Sequence, residues 1–567
     1  MVPTRTQSDA ALRSASHVLP GERMALVPAG LLLLACLPFF LGLDHTFWGS
    51  ETRWAFISRN MLASGDWLEP RLYGDYFYGD KPLLSYWLVA LVAAPLGGVS
   101  EFTARLPSAL AASGAVLVTG WLAARLLGAR WSLAAGAVLA TSYGYLSWAR
   151  VASADPLNLL FITAAIAVYV EWLLHRGRWC LPAFFCLLAA GGHAKGTPAI
   201  LIPVSVVGVD VLLARRWELL REAPRIALWT AVAALVYLAP FGASYLDRGD
   251  ARLFELMLRE NFTRALDAYD HVNPPWYYLG ILPLYLLPWT LWLPGGLVAA
   301  AGRARERAGV RFALLAFLVI VAVFSASESR RSYYILPALP FAALVLAASW
   351  QAAVEALGSG AARAALWRAS LFVPAGLFAL LLVGVALVAL LKGGAHPGLG
   401  PIVEALPGLV PVALVLLALG AALVAASVRR RPLTMLVAAG LGAWLIALYF
   451  ATGVQALREQ RKQERQVAAQ LLERFPDERV FFYHGAIGPL RWYVGGEDVA
   501  RERRDVRDAL GESGAHALVA CSASSCREGF PDERRLVCLP VLDSASPAIG
   551  AWIEARDQYR VFRCVRR

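Results

Sequence analysis

Charge is scarce in this sequence. Only 17% of its 567 residues are Asp, Glu, Lys or Arg, where a soluble enzyme of this length carries roughly a quarter. That shortage excludes an ordinary soluble fold. The charges present are unevenly placed: long stretches have none, and 452–567 has many. Cysteine is also sparse. Cys36, Cys180 and Cys186 lie in apolar runs, and Cys521, Cys526, Cys538 and Cys564 fall near the C-terminus. No pair has zinc-ribbon spacing, and the eight histidines show no metal-ligand pattern. Gly393-Gly394 and similar stretches lack a phosphate-loop pattern, and no period of 20–50 residues marks a repeat protein. The net charge of +12 would suggest nucleic acid on a soluble chain. Here the surplus sits in short loops between apolar runs, so no nucleic-acid partner is expected.

Apolar runs are what the sequence has instead. Thirteen are long enough to be read as spans: 24–43, 105–124, 132–150, 155–174, 179–193, 197–214, 226–245, 276–299, 312–326, 333–351, 369–391, 407–428 and 433–451. The run 24–43 is full length and is read as a retained span, not a cleaved signal peptide. Segment 82–98 is also apolar, and charge places it on the membrane surface. With thirteen spans, six successive loops on one side are rich in arginine, from Arg125 and Arg130 to Arg429–Arg431. That satisfies the positive-inside rule six times. The expected layout is a cytoplasmic tail (1–23), a membrane domain (24–451) and a small α/β domain (452–567) on the far side. Apolar runs at Val480–Tyr483, Ala517–Cys521, Leu536–Val541 and Tyr559–Cys564 are its expected strands. Its four cysteines allow three pairings, and proximity favours Cys521–Cys526 with Cys538–Cys564.

This topology gathers chemistry on the outer side. The first outer loop, 44–104, is far longer than the ~2–8 residues a helix connection needs, and it is dense in carboxylates and aromatics. Glu51 to Ala63 reads as a short interfacial helix with Trp54, Ile57, Met61 and Leu62 on one face. Glu51 is a catalytic candidate, with a helix-dipole role as the plainer alternative. Asp155, opening a span in Ala154-Asp155-Pro156, is a second candidate or an N-cap. Lys81, Lys195, Arg330 and Arg331 place positive charge on the outer side against the usual bias. A lipid phosphate at that height is the ligand class they suit; snorkelling at span ends is the alternative. Asp80 with His271 could hold a divalent ion, though a surface-loop histidine is the ordinary reading. No cofactor is otherwise required.

The order of these residues resembles a known family. Glu51-Thr-Arg-Trp-Ala-Phe-Ile-Ser-Arg59, Gly65-Asp66-Trp67, Asp80-Lys81-Pro82, Arg105-Leu-Pro107, Asp155-Pro156, Lys195-Gly196, Glu260-Asn261-Phe262 with Arg264, Trp276-Tyr277-Tyr278, Pro288-Trp289-Thr290 and Tyr334-Ile-Leu336-Pro337 follow in sequence. The set is similar to the aminoarabinose transferase branch of the GT-C glycosyltransferases, which is related to the protein O-mannosyltransferases. The family's Pro-Asp-Glu reads Gly49-Ser50-Glu51 here, and its Glu-Lys-Pro reads Asp80-Lys81-Pro82. These departures mark a relative of the aminoarabinose enzyme, not the enzyme itself.

The resemblance implies a GT-C fold in a bacterial inner membrane, with the N-terminus cytoplasmic and the site periplasmic. It implies an inverting transfer of a sugar, aminoarabinose or a related one, from a polyprenyl-phosphate donor to lipid A, a glycan or a protein. Lys81, Arg330, Arg331, Lys195 and Arg264 would neutralise the leaving phosphate. Glu51, then Asp155, would take a proton from a hydroxyl acceptor; a phosphate acceptor needs no base. Asp80, Tyr78, Trp276 and Tyr334 are the candidate substrate contacts. A transporter or flippase for a lipid-linked saccharide is the rival class. It would bury charge at mid-bilayer and break helices there.

Overall fold

The apolar runs fold as helices in the computed structural model. It describes residues 22–73, 76–79, 81–259, 272–359, 364–390 and 408–455, and in the C-terminal part 459, 462, 464–478, 480–483, 488–495, 499–500, 516–522, 536–543 and 559–566. In chain order the first helices are α1 (Glu22–Ala35), α2 (Glu51–Ser64), α3 (Leu84–Ala93), α4 (Glu101–Leu127), α5 (Ser132–Thr141), α6 (Tyr143–Ala149), α7 (Asp155–His175), α8 (Cys180–Lys195), α9 (Pro198–Leu213) and α10 (Ala223–Arg248). There follow α11 (Arg252–Leu258), α12 (Tyr277–Tyr285), α13 (Leu293–Arg303), α14 (Ala308–Ala326), α15 (Leu339–Ser359), α16 (Ala364–Leu390), α17 (Leu409–Val428) and α18 (Pro432–Tyr449).

Among the described residues, eight helices are long and apolar enough to cross a membrane, or nine when a bent pair counts as one. The chain is a multi-pass membrane protein. The runs 24–43, 179–193 and 197–214 form shorter apolar helices. Two of the expected spans are not straight. The run 132–150 breaks at Ser142, whose backbone is extended. The run 276–299 is a pair of helices bent by 117°. Pro288 sits at that break, where it supplies no N–H and disfavours helix in the residue before it.

The bundle core lies along Ser332–Leu357, whose most apolar window is wholly buried. α15 there packs against α4, α5, α13, α14 and α16. α10 sits at the opposite extreme, with 6% of its window buried. Close packing depends on glycine in places: a Cβ at Gly309 would lie 2.1 Å from the Leu126 carbonyl oxygen.

At the outer end, α2 begins at Glu51 as expected and ends at Gly65, whose φ of 73° suits glycine and whose N–H bonds Met61 O at 3.0 Å. It is buried on more than one face. Trp54, Ile57 and Met61 are covered, and so are Thr52 and Phe56. The extra cover comes from the C-terminal part, α19 (Glu464–Arg474), α20 (Gly488–Val494) and strands β1 (Val480–Tyr483), β2 (Val499–Ala500), β3 (His516–Ser522), β4 (Leu536–Asp543) and β5 (Tyr559–Arg566). These strands form one sheet in the order β2-β1-β3-β5-β4, parallel around β1 and antiparallel on either side of β5. Register sets Cys538 directly opposite Cys564, and the two form a disulfide. Cys526 lies outside the described residues.

Candidate functional site

The site is built where the irregular segment 44–50 meets the outer ends of α4 and α7. Arg105, in the second turn of α4, is completely buried. All five of its N–H groups are used. Nε and Nη2 reach Glu51 at 2.8 and 2.6 Å. The others go to the carbonyls of Leu43 (2.7 Å), His45 (2.5 Å) and Thr46 (3.3 Å). Glu51 also accepts from the backbone N–H of Trp48 and of Ala152, each at 2.8 Å. Four donors therefore converge on two carboxylate oxygens, in a side chain 1% exposed. Burial alone would raise the Glu51 pKa; the Arg105 charge, its hydrogen bonds and the Ala152 N–H bring it below the usual value. Beside it, burial and the Arg105 charge push His45 down to about 3.

This geometry favours a structural role for Glu51. A general base needs a lone pair facing the substrate, and both Glu51 oxygens face protein donors. Its carboxylate ties the loop to Arg105 and Ala152. The Arg105 role was missed, although an arginine at the edge of a span is a signal by itself.

Asp155 and Lys195 come together as expected of neither alone. Lys195, at the C-terminal end of α8, forms an ion pair with Asp155 Oδ1, and the two side chains are 11% and 8% exposed. The Asp155 N–H donates to Ser153 Oγ at 3.3 Å. Tyr333 and Tyr334 cover the lysine, with their ring centres 5.2 and 4.7 Å from Nζ. One turn deeper, at the i+3 position of α7, Asn158 is buried and its Oδ1 has no hydrogen-bond partner. An orphaned buried amide oxygen is costly, and sequence reading passed over it because it lay inside an apolar run.

The remaining candidates divide. Lys81 is half-buried just ahead of α3, and Leu83 beside it shares a buried cluster with Ala152 and Ala154. Arg330 is engaged by backbone. Its guanidinium donates to Ser325 O at 2.8 and 3.2 Å, to Glu328 O at 3.3 Å and to Asn273 O. It staples two loop segments and leaves no free fork for a phosphate. Arg331 donates to the Tyr333 hydroxyl at 2.9 Å, so it lies at the tyrosine lip. Tyr78 accepts from Arg53, and Trp276 is 67% exposed. Asp80, Arg264 and His271 lie outside the described residues. Among the described residues no three His, Cys, Asp or Glu side chains form a metal-binding group.

α7, α8, α9 and α10 line an open apolar cavity of about 550 Å³, bordered by Trp172, Phe184, Leu188, Val207 and Tyr237 among others. A second cavity of about 240 Å³ shares Phe185 and Ala189 with it and reaches Leu84, Trp87 and His193.

A family model of dolichyl-phosphate-mannose-protein mannosyltransferases matches residues 31–246. Over nearly its whole length the chain also superimposes on a solved structure of ArnT from Cupriavidus metallidurans bound to undecaprenyl phosphate, with a TM-score of 0.71, 19% identity and coverage of 96% of this chain and 98% of that one. The chain shares the GT-C fold of that ArnT structure, and its N-terminal part resembles the mannosyltransferase family. An undecaprenyl phosphate-aminoarabinose arabinosyl transferase of Pseudomonas fluorescens is 32% identical over 381 residues, 65% of this chain and 63% of that protein. Its counterpart in Edwardsiella ictaluri is 34% identical over 307 residues, 52% and 54% respectively. The matched region thus spans less than two thirds of these relatives' own length.

Proposed function

We propose that this GT-C chain is a polyprenyl-phosphate-sugar glycosyltransferase of the bacterial inner membrane, working at the periplasmic face. The observation that carries it is the Asp155–Lys195 pair, sequestered under Tyr333 and Tyr334 at the outer mouth of the bundle. Such a pair at a span's edge suits a reaction in which an anion leaves and a proton moves. The apolar cavities between α7 and α10 suit an isoprenoid tail, and the named relatives act on undecaprenyl-phosphate-linked aminoarabinose.

In this reading the acceptor oxygen attacks the anomeric carbon as the bond to the polyprenyl phosphate breaks, inverting that carbon. The phosphate leaves with the bonding electrons, and Lys81 and Lys195, with Arg331, meet its charge. No metal is invoked. A hydroxyl acceptor gives its proton to Asp155, whose pairing with Lys195 fixes its orientation. A phosphate acceptor, as on lipid A, carries no proton to lose. Aminoarabinose or a close relative is the proposed sugar, and lipid A, a glycan or a protein the acceptor. The N-terminus is assigned to the cytoplasm and the C-terminal part to the periplasm, where the Cys538–Cys564 disulfide is stable.

A transporter would need ionisable groups at mid-bilayer. The bent pair around Pro288 carries none: residues 283–293 hold no Asp, Glu, Lys, Arg or His. The test is transfer by the purified protein of radiolabelled sugar from undecaprenyl phosphate to extracted lipid A. Transfer lost in Lys81→Ala supports the reading. Failure with lipid A, glycan and peptide acceptors and every undecaprenyl-linked sugar offered, by protein shown to be folded, overturns it.

A further inference from the structure

Segment 44–50 has almost no regular structure, so its backbone groups must find partners elsewhere. On one side Arg105 takes the carbonyls of Leu43, His45 and Thr46. On the other side the partners come from more than 400 residues away. The Thr46 N–H and hydroxyl both donate to Glu459, at 2.8 and 2.5 Å. The Phe47 carbonyl accepts from Lys462 at 2.6 Å, and the Phe47 N–H donates to the Tyr493 hydroxyl at 3.3 Å. Arg465 reaches Asp44 O at 2.6 Å.

Side chains reinforce this seam. Tyr493 OH and Arg465 Nη2 both donate to Glu101 Oε1 at 2.6 Å. Trp492 of α20 stands edge-on to Phe47 and Phe56, centroids 5.4 and 5.1 Å apart, with the Arg59 guanidinium 4.7 Å from its ring centre.

Thr46 is therefore held from both directions. Arg105, which takes its carbonyl, is locked to Glu51, and Glu51 takes the N–H of Ala152, three residues before Asp155. We infer that the C-terminal part is a clamp that sets the position of Asp155 through Thr46, Arg105 and Glu51, with Glu459 and Tyr493 as positioning residues. The inference rests on the transferase reading for its catalytic consequence, but its structural half stands apart from it.

The test uses full-length protein in lipid nanodiscs with two readouts, hydrogen exchange at residues 44–50 and steady-state transfer. Glu459→Ala removes both acceptors for Thr46, while Glu459→Gln keeps an acceptor for its N–H and a partner for its hydroxyl. Tyr493→Phe is the milder second variant. Glu459→Ala should speed exchange at Thr46 and Phe47 and lower kcat about 10–100-fold, the scale of a small misplacement of reacting groups, leaving KM for the lipid donor unchanged. Glu459→Gln should restore both. Unchanged exchange in Glu459→Ala and Tyr493→Phe overturns the clamp. Faster exchange with unchanged kcat overturns its link to Asp155. If wild type transfers nothing while exchange responds as expected, the transferase reading fails and the clamp stands.

Discussion

Replacing Glu51 by Gln separates a structural carboxylate from a catalytic one. In the native protein four donors point at its two oxygens, and the Arg105 charge it neutralises is fully buried. Gln presents one acceptor oxygen to those four donors and turns its own NH2 toward them. Removing one partner of a buried ion pair costs ~3–5 kcal/mol, mostly the penalty of the charge left behind, and a typical protein has only ~5–15 kcal/mol of stability in all. Glu51→Gln should therefore give a sharply lower Tm, read by tryptophan fluorescence in detergent, and poor recovery of monodisperse protein. Asp155→Asn should be milder in the same assay, because its pair retains some access to water. A Glu51→Gln protein with wild-type Tm and transfer reduced ~10²–10⁴-fold would refute this reasoning and make Glu51 the base.

Acid should destabilise the outer loop in two stages. His45 has a folded pKa of about 3 against an ordinary 6.5, so its contribution is complete above pH 6.5 and is lost as pH falls toward 3. Glu51 is held below its ordinary 4.5, so its contribution is present above pH 4.5 and is lost as pH drops through the folded value. Unfolding curves across pH 3–7 should lose the upper part of that limb in His45→Gln, and an unaltered limb would contradict the assignment. For the chemistry, Asp155→Asn should cost ~10²–10⁴ in kcat with a hydroxyl acceptor and little with a phosphate acceptor, while Lys81→Ala is severe with either. Full activity in both variants would move the site elsewhere. Asn158→Leu removes the orphaned oxygen: a sugar-binding role predicts raised KM with unchanged Tm, a purely structural one unchanged KM. A periplasm-only reporter fused after Arg567 should be active, and a reporter active only in the cytoplasm would reverse the topology.

Much of this was legible in the sequence, and the pattern of what was not is informative. Apolar runs marked the helices because bilayer burial demands uninterrupted hydrophobicity. Strands such as Val480–Tyr483 and Tyr559–Arg566 were visible for a similar reason. Asp155 and Lys195 stood out as charges at span ends, but their pairing across 40 residues depends on the packing of α7 against α8. The partners of Glu51 were not legible, because a helix-opening carboxylate looks the same in sequence whether it faces solvent or a buried arginine. Arg330 is equally ambiguous in sequence: such a cation can serve a phosphate or, as here, bind three backbone carbonyls. The breaks at Ser142 and Pro288 were hidden inside runs whose composition alone suggested straight spans.

The deeply buried core of the Ser332–Leu357 segment has a consequence for biogenesis. Residues 31–246, which the family model matches, include α4 and α5, yet the helix that packs against both begins only well after that region ends. Until it arrives, the helices already inserted have faces that only lipid or one another can cover. The matched region is thus not a unit of folding on its own. A ribosome stalled before residue 332 would leave the faces of α4 and α5 that α15 covers open to quality-control proteases.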